Sequence, residues 1–85
     1  MNGWSLFAGG YVADHGGWTL HLDRPATRLE LGVAVAAIRH FGLTPDDVYA
    51  VTLHPDGCVD VRHWDRTGPE PRVVHSAVAL TELSQ

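Results

Sequence analysis

Residues 48–65, VYAVTLHPDGCVDVRHWD, decide the fold of this chain. Pro55-Asp56-Gly57 carries the chemistry of a three-residue hairpin turn. Proline presets φ for a type I turn, aspartate tolerates the next position, and glycine supplies the left-handed residue that closes a G1 bulge. Such a turn sets the register of its strands, Val48–His54 and Cys58–Trp64. His54 should face Cys58, Leu53 should face Val59, Thr52 Asp60, and Val51 Val61. Alternation then puts Tyr49, Val51, Leu53, Val59 and Val61 on a core face, and Thr52, His54, Cys58, Asp60 and Arg62 on the other.

The same segment holds His54, Asp56, Cys58, Asp60, His63 and Asp65, all of them metal-ligand or acid–base types. Structural zinc takes four Cys or His ligands at recognisable spacing. One cysteine on an open sheet face would need a further donor from elsewhere, such as His21 or His75. A Cys58–His54 nucleophilic pair lacks an orienting third group and an oxyanion donor. Strand alternation accounts for the polar residues without either. Neither Gly9-Gly10 nor Gly16-Gly17 has a Walker lysine or opens a helix, so no phosphate loop is expected. Asp46, Asp47 and Asp56 lack calcium-loop spacing. The expectation is therefore no catalytic residue, no metal and no cofactor.

Upstream lies the helix. Thr27-Arg28-Leu29-Glu30 fits a capping box, and Gly42 after Phe41 fits a left-handed C′ residue with Leu43 packing back, so a helix is expected over 28–41. Leu31, Ala34, Val35, Ile38 and Phe41 form one apolar stripe, which Leu29, Val33, Ala36 and Ala37 widen beyond the usual face. Gly32 sits mid-helix, where it costs about 1 kcal/mol relative to alanine. With Ala36 one turn on, it would admit a second backbone at close range, from the protein's own sheet or from a second chain.

Before the helix, Trp18, Leu20 and Leu22 recur at period two, which marks a half-buried strand. Asp14–Gly17 is turn chemistry, and residues 6–13 are expected as the partner strand, bent or bulged at Gly9-Gly10. After the helix, 43–47 reads as a short turn. Beyond the hairpin, a last strand is expected from Arg72 to about Leu80, with a frayed tail. The fold class is α+β: a single small domain, ββ-α-βββ, with one helix packed on one face of an antiparallel sheet.

Composition limits what such a domain does. The chain has 85 residues, 45% hydrophobic and 19% charged, and a net charge of −4. That is a globular composition with one modest core. All the basic residues are arginine, and an acidic balance is unlike the footprint of a non-specific nucleic-acid binder. The single cysteine rules out an intramolecular disulfide and suits a reducing cytoplasm. The apolar run 31–38 is far too short to span a membrane, so membrane insertion is not expected.

These features favour a small non-enzymatic protein-binding module that occupies a partner's surface or pairs with itself as a homodimer. Its size suits an accessory or inhibitor protein of a phage or mobile element. One helix leaves a sheet face uncovered, and Trp4, Trp18 and Trp64 are many tryptophans for so small a core. The candidate contact residues are Arg62, His63, Trp64, Asp65 and Arg66 at the end of a strand, with Gly32 and Ala36 on the helix. Asp46, Asp47, Asp56, Asp60 and Asp65 could imitate phosphates. The alternative is a nucleic-acid accessory protein reading through Arg62, Arg66 and Arg72 along a β-hairpin.

Overall fold

A computed structural model describes residues 2–83 of the chain. Strand β1 (Trp4–His15) and β2 (Trp18–Leu22) precede helix α1 (Arg28–His40). A 3₁₀ turn at Pro45–Asp47 leads into β3 (Val48–Leu53), β4 (Cys58–Asp65) and β5 (Arg72–Ala79), and a short helix, α2 (Leu80–Leu83), follows. The strands form one five-stranded sheet in the order β2-β1-β3-β4-β5, with every neighbour antiparallel. This is the α+β architecture expected from the sequence. No helix among the described residues is long and apolar enough to cross a membrane.

The β3–β4 hairpin takes the register that its turn dictates: Val51 faces Val61, Thr52 faces Asp60 and Leu53 faces Val59. Gly57 has φ +93°, and its N–H donates to the His54 carbonyl at 2.9 Å, while the His54 N–H donates to the Cys58 carbonyl at 2.8 Å. The β1–β2 hairpin closes on two residues, Gly16 and Gly17, at φ +60° and +84°. Two consecutive positive φ values define a type I′ turn, whose twist matches that of its strands.

β1 is longer than the sequence suggests and serves two partners. Trp4–Phe7 pair with β3, and the rest pair with β2 across a bulge between Ala8 and Tyr11. At that bulge Asp23 crosses beside Gly9, with its N–H donating to the Phe7 carbonyl at 2.8 Å. A Cβ on Gly9 would fall 2.5 Å from the Asp23 Cα, so only glycine fits.

Helix α1 begins with the full capping box: the Thr27 hydroxyl accepts from the Glu30 N–H, and the Glu30 carboxylate accepts from the Thr27 N–H. It ends at His40, with Phe41 as the cap residue. The Leu43 N–H reaches the Ile38 carbonyl and the Gly42 N–H the Arg39 carbonyl, both at 3.0 Å, with Gly42 at φ +68°. This is the Schellman arrangement. Its inner face buries Leu31, Ala34, Val35, Ala37 and Ile38 against Leu6, Leu20, Leu22, Val51, Leu53, Val59 and Val61 of the sheet. The buried residues among those described are all apolar.

Three local expectations are corrected. The tail is not frayed over Leu80–Leu83: it turns into α2, whose Leu80 and Leu83 pack against the core. No backbone of the protein's own sheet lies over Gly32, where an added Cβ would meet only the His15 imidazole, at an ordinary 3.7 Å. The third concerns Tyr49. A bulge between Val48 and Ala50 inserts one extra residue into β3, so Val48 packs on the core in its place and Tyr49 turns outward, 38% exposed. Facing inward, the phenol would need a buried partner for its hydroxyl; outward, water supplies it.

Candidate binding face

The sheet face opposite α1 carries the candidate site. Alternation from the buried Val51, Val59 and Val61 assigns Ala50, Thr52, Asp60, Arg62 and Trp64 to this side, with Ser5 and Phe7 from β1. Phe7 faces Ala50 across β1 and β3, and Ala50 faces Arg62 across β3 and β4. Ala50 is buried although it points away from the helix, because larger neighbours close over it. The Phe7 and Tyr49 rings meet edge to face at 5.9 Å between centroids, and the Tyr49 and Trp64 rings at 6.2 Å. Such contacts orient the rings and hold them in place. Three strands therefore contribute one aromatic row, whose Trp64 end is 36% exposed.

Polar groups flank the row. The Asp60 carboxylate lies 3.1 Å from His75 Nδ1, and Arg62 Nε lies 3.9 Å from the same carboxylate. Arg62 Nε is itself buried, with no hydrogen-bond partner among the described residues. Ser5 and Thr52 bond through their hydroxyls at 3.0 Å. No group of three or more His, Cys, Asp or Glu side chains is placed to hold a metal ion among the described residues.

The structure divides the candidate cluster at the end of β4. Arg62 and Trp64 belong to the aromatic face. His63 and Asp65 point to the helix side, past the end of α1, where His63 Nε2 pairs with the Ser76 hydroxyl at 2.9 Å. The Thr67 hydroxyl and amide hold the Asp65 carboxyl below its ordinary pKa. Arg66, beyond the strand, is ion-paired with Asp47. Gly32 and Ala36 lie on α1, half-buried on the opposite side of the sheet. Strand alternation predicts the split within β4. Phe7 and Tyr49 were missed as site residues, since their placement beside Trp64 depends on strand order and on the β3 bulge.

The arginines proposed as a phosphate-reading ribbon each have a carboxylate nearby: Arg62 has Asp60, Arg66 has Asp47, and Arg72 has Asp65 at 3.8 Å. The proposed acidic set is equally dispersed. Asp56 caps the Cys58 N–H at the hairpin turn, while Asp47 and Asp65 sit at the far end of the same hairpin. Among the tryptophans, Trp4 and Trp18 pack against the core, and the Arg39 guanidinium stacks 4.7 Å from the Trp18 ring centre. Only Trp64 is left to the open face. Compared with family models, curated proteins and solved structures, the chain matches none.

Proposed function

We propose that the protein is a non-enzymatic binding module that occupies a partner protein through the helix-free face of its sheet. The observation that carries this reading is the row Phe7–Tyr49–Trp64, ordered by edge-to-face contacts and left open to water. Ordered aromatic side chains lose little entropy on binding, which is why Trp and Tyr dominate interface centres. The neighbouring Arg62, Asp60 and His75 supply the polar rim that such a centre needs. An accessory or inhibitor role in the cytoplasm, of the kind phages and mobile elements encode, fits the size and the lone half-buried cysteine.

Capture from a lysate of the host, with and without nuclease, tests the reading when wild type is compared with Trp64→Ala and Tyr49→Ala. A discrete protein partner should survive nuclease and fall at least about tenfold in recovery with either variant. Both variants should still unfold cooperatively, since these rings lie outside the core. Equal recovery with both would remove the aromatic face from the site. Recovery abolished by nuclease would favour the nucleic-acid alternative. The carboxylates near these arginines weigh against that alternative, because they offset the positive charge that a phosphate would meet.

A further inference from the structure

Arg62 and His75 face each other across β4 and β5, and Asp60 lies two residues before Arg62 on the same side of the sheet. One carboxylate therefore stands before two nitrogen donors. Its oxygen is 3.1 Å from His75 Nδ1 and 3.9 Å from Arg62 Nε. The first is a hydrogen-bond distance and the second is not. The Asp60 side chain is only 13% exposed, and the Arg62 Nε–H is buried with no hydrogen-bond partner among the described residues. A buried donor left unpaired is costly, and more so on a charged group. The His75 side chain, by contrast, is 58% exposed on the edge strand, where water reaches it to exchange its proton.

We propose that Asp60 is a pH-dependent switch: it bonds His75 while that ring is protonated and passes to Arg62 Nε when the ring is neutral. The order follows from donor strength, since a charged N–H holds a carboxylate more strongly than a neutral one. Against the protonated ring the guanidinium has no advantage of charge, and His75 keeps the carboxylate at 3.1 Å. The neutral ring offers Asp60 a neutral N–H on Nδ1, or a lone pair if its proton sits on Nε2. The guanidinium stays charged throughout. The carboxylate then moves about 1 Å towards Nε and satisfies the buried donor.

On this face β4 sets Asp60 and Arg62 against the ring, and Val73 and Ala77 flank it within β5. The other element packed against β5 is α2, which begins five residues beyond His75 and carries Glu82. The consequence for a partner rests on the reading of this face as a binding surface. With the ring protonated, two cations share one carboxylate, and the rim beside Trp64 carries one net positive charge. With the ring neutral, Arg62 is closed on Asp60 and the rim is neutral.

Nuclear magnetic resonance of the full chain, with no partner present, follows the Arg62 Nε nitrogen through its Cδ carbon, together with the His75 ring, from about pH 5 to 8. As the ring loses its proton, the Nε resonance should move downfield with the same midpoint as the ring. His75→Gln should abolish the step and hold Nε at its high-pH position. Asp60→Asn should abolish it as well, with the dispersion of the backbone amides as the check that both variants are folded. A resonance that stays still would overturn the proposal. So would one that moves with a midpoint other than that of His75, or that still steps in His75→Gln. The binding role is tested separately, by capture through Trp64, so either proposal can fail alone.

Discussion

On one side of the sheet, Leu6, Val51, Leu53, Val59 and Val61 are buried under α1; on the other, the same strands carry Phe7, Tyr49, Arg62 and Trp64 half in water. The covered side is aliphatic and dry. The open side is aromatic and ionic. Because side chains alternate, a single strand serves both, and a residue's parity decides which side it faces. In β4, Val59 and Val61 are buried in the core, while Asp60, Arg62 and Trp64 lie on the open side.

The contrast can be broken most severely from the covered side. Ile38→Ala removes a fully buried side chain and leaves a cavity between α1 and the sheet. It should cost about 3 kcal/mol in chemical denaturation, a large part of the stability of so small a domain. A loss under about 1 kcal/mol would mean that the helix packs more loosely than described.

The second test strikes where β1 leaves one partner for the other. Gly9→Ala forces a Cβ into the Asp23 backbone, and should destabilise by about 2 kcal/mol with loss of hydrogen-exchange protection at Asp23. The neighbouring Gly10 has open space at the same position, so Gly10→Ala is the control.

Acid provides the third. The Arg24 guanidinium, 2.7 Å from Glu30, and the Thr27 amide lower the Glu30 carboxyl from its ordinary 4.5 to about 2. A depressed carboxylate stabilises the fold above its unfolded pKa. Its contribution is lost as pH falls from about 4.5 towards 2. Arg24 is partly exposed and screened by water, so cap and ion pair together are worth about 1–2 kcal/mol. Glu30→Gln should flatten that part of the stability–pH curve, and an unchanged curve would deny the pair its role.

The smallest effect has the opposite sign. Gly32→Ala meets only ordinary contact with His15, so helix propensity should raise stability by about 0.5–1 kcal/mol. A fall in stability on chemical denaturation would deny Gly32 the open surroundings that the structure gives it.

Much of the fold was legible because its signals are local. The Pro55-Asp56-Gly57 turn specified a register that the structure reproduces, and Thr27, Glu30 and Gly42 marked both ends of α1. Less of the candidate site could be read. Arg62 and Trp64 were named and do lie on the open face, but His63 and Asp65 were grouped with them although they occupy the other face, and Tyr49 was assigned to the core.

By itself, the sequence determined the α+β class, the hairpin register and the helix, since turn chemistry, caps and periodicity act over a few neighbouring residues. Only the tertiary structure decided that β1 lies against β3, that a bulge turns Tyr49 outward, and that Phe7, Tyr49 and Trp64 meet. Those residues are far apart in the chain, and packing of whole strands beneath one helix sets their separation. Val48 or Tyr49 could have filled the place over the core. The choice fell to the residue with no hydroxyl to bury.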